Sequence, residues 1–141
     1  MERLLTSLNF AIGTVLVLIA AVFYFTQGGL IADLRHAKVE DVVRKIADEE
    51  RTFYRNRSKF FNFTLGDTSV NFPNKTVDIN QASRDTGYVY EAFQEANDYL
   101  VIRAHPSKEE LLAAWTQPQV LVFRTHPKRN DEVWEWSKIV K

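Results

Sequence analysis

Apolar residues follow three different rhythms along this chain. From Phe10 to Phe25 (FAIGTVLVLIAAVFYF) they are almost continuous, and no charged residue stands between Arg3 and Asp33. From Leu30 to Arg55 they recur at spacings of three, four and seven, with charged residues between them. From Tyr88 onward they fall into short, loosely alternating segments.

The first rhythm predicts a helix of about 21 residues, roughly Leu5 to Phe25, enough to cross a hydrocarbon core of about 30 Å. The run ends in bulky Val22-Phe23-Tyr24-Phe25 and lacks a small-x-small cleavage pattern. That points to a retained anchor and not to a removed signal peptide. Phe23, Tyr24 and Phe25 are expected to touch lipid or neighbouring subunits. Gly28-Gly29 then weakens the helix or breaks it.

The second rhythm predicts an amphipathic helix over about 30–55. Val39, Val42, Val43, Ile46 and Phe53 form its inward stripe. Glu40 and Arg44, and Asp41 and Lys45, are spaced as i,i+4 ion pairs. The acidic run Asp48-Glu49-Glu50 reads as a solvated face, since successive helical side chains point about 100° apart.

Residues 56–83, rich in Asn, Asp, Ser, Thr and Phe, read as a long loop with a short strand at Thr68–Phe72. Tyr88–Phe93 and Tyr99–Arg103 around a five-residue connection predict a hairpin. Ser107-Lys108-Glu109-Glu110 matches a capping box. It opens a predicted helix, Lys108 to Thr116, that Pro118 ends. Gln119–Arg124 is a third strand. The fold class is therefore α+β, a long helix packed on a small, mainly antiparallel sheet. The organisation is an anchor (1–29), a small domain (30–127) and a polar tail (128–141).

Composition removes several functions. Basic and acidic side chains balance at 18 each, which argues against nucleic acid as a partner. Cysteine is absent, so there is no disulfide framework and no thiolate chemistry. No phosphate-binding glycine loop, nucleophile elbow or zinc-protease pattern occurs. The chain reads as no enzyme, with no cofactor and no small-molecule substrate.

His105 and His126 are the weak metal candidates, each closing an R-x-H-P segment (Arg103–Pro106 and Arg124–Pro127). If 108–116 is a crossover helix, their strands are parallel and both histidines lie at one end. If the strands are antiparallel, they lie at opposite ends. Two histidines without a carboxylate at ligand spacing are a poor metal set. Phe53, Tyr54, Phe60, Phe61, Phe63 and Phe72 either lock the loop onto the helix or form a partner surface. Trp134 and Trp136 share a face of an extended segment, and in a polar tail they point to docking on another protein or on headgroups.

An apolar N-terminal helix, an amphipathic extension, an aromatic-rich loop and a small antiparallel sheet together resemble the type IV pilins and type II secretion pseudopilins. Ile46-Ala-Asp-Glu-Glu-Arg-Thr-Phe-Tyr54 followed by Phe60-Phe61 resembles the end of the long pilin helix. The resemblance implies a pilin-like fold, an extracytoplasmic domain, and contacts between subunits through Phe10 and Thr14. Aligning Phe10 with the first residue of a processed pilin puts Asn9 where that family has a small residue. It also puts Thr14 where the family has a glutamate, so the prepilin cleavage motif is missing.

These readings converge on a single-pass protein of a bacterial inner membrane. It is expected to be a non-enzymatic accessory subunit of a larger membrane assembly, of the photosynthetic or respiratory kind. Its partners are then membrane lipid and other membrane protein subunits. A minor pilin or pseudopilin, and a histidine-based ligand or metal sensor, are the alternatives.

Overall fold

A computed structural model describes residues 2–67, 70–72, 75–108, 119–129 and 131–139, with side chains for all of these except 2–10 and 25–31. The chain forms two compact units, Met1–Leu34 and Arg35–Lys141. One helix, α1 (Glu2–Arg57, 56 residues), contributes to both. Basic Arg55 and Arg57 sit in its last turn, where they complement the negative end of the helix dipole. The helix stops at Ser58, which adopts a left-handed φ of 56°. The Ser58 N–H donates to the Tyr54 carbonyl at 2.7 Å, the closing bond of a left-handed helix end.

In the first unit, residues 11–24 of α1 carry exposed apolar side chains on every side. Among the described residues no helix is long and apolar enough to cross a membrane. The expected single-pass anchor, its bacterial inner-membrane location and the extracytoplasmic placing of the domain are corrected accordingly.

In the second unit, α1 lies on a four-stranded antiparallel sheet of order β1-β2-β3-β4. The strands are β1 (Tyr88–Gln94), β2 (Leu100–Pro106), β3 (Gln119–Thr125) and β4 (Glu132–Lys138). The register Tyr90↔Ala104↔Leu121↔Trp136 and Ala92↔Ile102↔Phe123↔Trp134 lines one face with apolar groups. Val39, Val42, Val43, Ile46 and Ala47 of α1 share one buried core with that face. The α+β class and the hairpin therefore stand as expected. The connection between β1 and β2 contains a 3₁₀ turn, Ala96–Asp98. Asn97 and Asp98 there take left-handed φ values of 65° and 63°, a conformation these two residue types tolerate better than most.

Three elements differ from the sequence-based expectation. A second helix, α2 (Ile79–Thr86), occupies part of the supposed loop. The Asp78 carboxylate caps it by accepting the Gln81 N–H at 3.0 Å, and Gly87 at φ 73° closes it. The supposed tail contains β4, which pairs with β3 along its whole length. Phe53 is half-buried and not part of the buried stripe. In the expected strand at 68–72, residues 70–72 are not strand, and Thr68 and Ser69 lie outside the described residues. The expected helix lies outside them beyond Lys108.

The aromatic loop is locked down. Phe60, Phe63 and Phe72 are buried, with ring centroids 5.8 Å apart for Phe63 and Phe72 and 4.7 Å for Tyr54 and Phe60. Phe63 exchanges backbone hydrogen bonds with Ala92, at 2.9 and 3.1 Å, and so borders the outer edge of β1. These rings fasten the loop to helix and sheet.

Candidate functional site

The strongest chemical feature of the second unit is a pair of acids inside it. Continuing the stripe Val39, Val42, Val43, Ile46 by three and four residues reaches Glu49 and Glu50. Both are buried, while Asp48 is exposed. The solvated-face reading of the acidic run is thus corrected at two of its three positions.

Each buried acid holds a piece of the loop. Glu49 Oε1 accepts the Thr76 N–H at 2.8 Å and the Thr76 hydroxyl at 2.5 Å. Glu50 Oε2 accepts the Phe61 N–H at 2.8 Å. Glu50 Oε1 is buried with no hydrogen-bond partner among the described residues. Burial pushes the Glu50 carboxyl up to about 8. The Phe61 N–H bond opposes this rise, and the nearby Glu49 charge adds to it. At neutral pH Glu50 is therefore mostly protonated. The pair pins both ends of the aromatic loop to α1.

A cavity of about 110 Å³ lies between α1 and the β3–β4 side of the sheet, lined by Arg44, Asp48, Arg51, Phe123, Glu132 and Trp134. Ligand pockets run to about 300–1,000 Å³, so this cleft is small for an organic substrate. Its cations are engaged. Arg51 donates to Glu132 at 2.5 Å and to Asp48 and Thr125 at 3.3 Å. Arg44 lies over the Trp134 ring at 4.7 Å. The Arg51 hydrogen bond holds the Glu132 carboxyl below its usual range.

Trp134 and Trp136 alternate on the α1 side of β4. Trp134 packs on Phe123 with centroids 4.4 Å apart. Trp136 donates its indole N–H to Glu40 at 2.9 Å and stacks on His36 at 4.1 Å. Both indoles are half-buried against the core, so the expected tail is corrected where it forms β4.

β2 and β3 are antiparallel, with Leu100 opposite Thr125. His126 therefore sits beside Tyr99, ring to ring at 5.2 Å. His105 lies at the far end of β2, five residues or roughly 17 Å along the strand. Burial lowers the His105 pKa, partly opposed by Glu91. The two candidate ligands are not brought together. Among the described residues no group of three or more His, Cys, Asp or Glu could hold a metal ion.

Of the expected contact residues on α1, Thr14, Phe23 and Tyr24 are exposed. The side chains of Phe10 and Phe25 lie outside the described residues. The chain matches no family model, no curated protein and no solved structure.

Proposed function

We propose that this chain is a non-enzymatic structural subunit that joins a larger protein assembly through the apolar segment of α1. One observation carries the reading. Ile12, Val15, Leu16, Val17, Leu18 and Ile19 are each more than half exposed. Val15 to Ile19 are consecutive, so they cover a full turn of helix and leave no polar face. A helix apolar all round is one that other structure surrounds. An apolar surface of this kind marks an interaction site. Apolar helices of neighbouring subunits supply a matching cover.

The test is the double variant Leu16→Glu, Ile19→Glu in the full chain, isolated from its own cells under native conditions. Native mass spectrometry should find the wild type in particles of fixed stoichiometry with other subunits. The double variant should leave those particles with its far-ultraviolet circular dichroism unchanged. A wild-type chain that leaves the cell unaccompanied overturns the reading.

A minor pilin or pseudopilin is the second reading. It is favoured by a single 56-residue helix whose C-terminal part shares a core with a four-stranded antiparallel sheet. N-terminal sequencing separates the two. A mature terminus at Phe10 supports the pilin reading, and an intact Met1 supports the first.

A further inference from the structure

The two edges of the sheet are treated differently. At the β1 edge, Phe63 bonds to Ala92 and the aromatic loop follows. At the other edge stands β4, and among the described residues no strand or bridge pairs with its outer side. An edge strand leaves alternate N–H and C=O groups available to another chain, unless proline, a bulge, shortness or charged side chains blunt it. β4 has seven residues without proline or glycine. Its register with β3 runs unbroken from Gln119↔Lys138 to Thr125↔Glu132, without a bulge. Proline, a bulge and shortness are thus absent from this edge, and its protection is its charges, Glu132, Glu135 and Lys138, which deter strands that do not match them.

We propose that β4 is a homotypic docking edge, on which two copies of this chain pair antiparallel about a two-fold axis at Glu135 and merge their sheets. The sequence Glu132-Val-Trp-Glu-Trp-Ser-Lys138 is complementary to its own reverse about that residue. Glu132 faces Lys138 of the second copy at both ends of the pairing. Trp134 stands opposite Trp136, and Val133 opposite Ser137. Opposite charges and aromatic pairs directly across a ladder stabilise it. The Glu132 carboxylate is already held in place by Arg51. Moving the axis one residue, to Trp134 or Trp136, loses both ion pairs. It sets Lys138 against Asn130 or Trp134 instead. Only Glu135 meets its own like charge at the axis, which keeps the pairing reversible.

The complementarity selects a second copy over a strand of another protein. The site lies wholly in the second unit and is independent of the apolar segment of α1.

The absence of cysteine allows a clean test. Residues directly opposed in an antiparallel pair have Cα atoms about 4.5–5.5 Å apart, within the roughly 4.4–6.8 Å that a disulfide spans. Full-length Glu135→Cys should oxidise to a covalent dimer at least about tenfold faster than Asp85→Cys on exposed α2, because pairing concentrates the two thiols. Val133→Cys and Ser137→Cys should each stay at the Asp85→Cys rate alone and cross-link with one another when mixed. Adding Lys138→Glu to Glu135→Cys should return it to the control rate. The Glu135→Cys cross-link should survive in the Leu16→Glu, Ile19→Glu background, which separates this edge from assembly through α1. Glu135→Cys cross-linking at the control rate, or more slowly than Val133→Cys alone, overturns the proposal. A β4 edge that is unpaired, or paired with a different protein, gives that flat result.

Discussion

Glu50 is a carboxyl placed where a leucine would normally stand. The helix brings it four residues after Ile46, into the core, and one of its oxygens finds no partner among the described residues. Its carboxyl is raised from 4.5 to about 8 in the folded chain, while the unfolded chain ionises it near the ordinary 4.5. The fold thus favours the protonated form. Its contribution to stability is fully present below about 4.5, falls as pH climbs, and is lost by about 8. A tenfold change in proton affinity is worth about 1.4 kcal/mol, so the swing is of the order of a few kcal/mol. Glu50→Gln keeps the acceptor for the Phe61 N–H and removes the ionisation. It should leave stability nearly unchanged at about pH 4.5 and raise it by about 1–3 kcal/mol at about pH 8. Urea unfolding at the two pH values, followed by tryptophan fluorescence, checks this. An equal effect of Glu50→Gln at both values would mean that folding leaves the proton affinity of this carboxyl unchanged.

At the scale of elements, β4 carries more of the fold than its composition announces. It closes the sheet over Leu121 and Phe123, which are almost completely buried. Trp134 packs on Phe123, and Trp136 reaches Glu40 and His36. Truncation after Pro127 removes these rings and bares the edge of β3. The cost should exceed about 3 kcal/mol, the scale of losing large aromatic groups from a core. Loss of the near-ultraviolet circular dichroism of the truncated chain is the expected outcome, and a retained cooperative melt would contradict it. The strand is hard to read in the sequence because Glu132, Glu135 and Lys138 surround the tryptophans, and charges on an edge strand are ordinary protection. The alternation of Trp134 and Trp136 is the legible signal, and it gives their shared face without giving the strand. α2 also has a signal, Asp78 and Gln81 in capping positions with Gly87 beyond. The surrounding Asn, Ser and Thr mask it. The stripe Val39 to Ile46 is legible because the helical period and the apolar composition agree there. They part at Glu49 and Glu50, where the period holds and composition misleads. The histidines cannot be placed from sequence at all, because strand direction decides their separation.

For the whole molecule, the two units divide the work. Every member of the buried core, from Val39 to Phe123, belongs to Arg35–Lys141. So do the Glu49 and Glu50 clamps and all four strands. The exposed apolar run Ile12–Tyr24 belongs to Met1–Leu34. Folding and assembly should therefore separate on truncation. A fragment of residues 35–141 should show one cooperative thermal transition and keep the pH dependence set by Glu50. It should also keep the Glu135→Cys cross-link, since β4 is intact. It should be lost from the larger particles, because the apolar segment is gone. Differential scanning calorimetry and native mass spectrometry read the two properties independently. A fragment that melts without a cooperative transition would show that residues 1–34 complete the core, and the division between a folding unit and an assembling segment would fail. A fragment that folds and still enters the particles would move the assembly surface onto the sheet unit, with the open edge of β4 the first place to look.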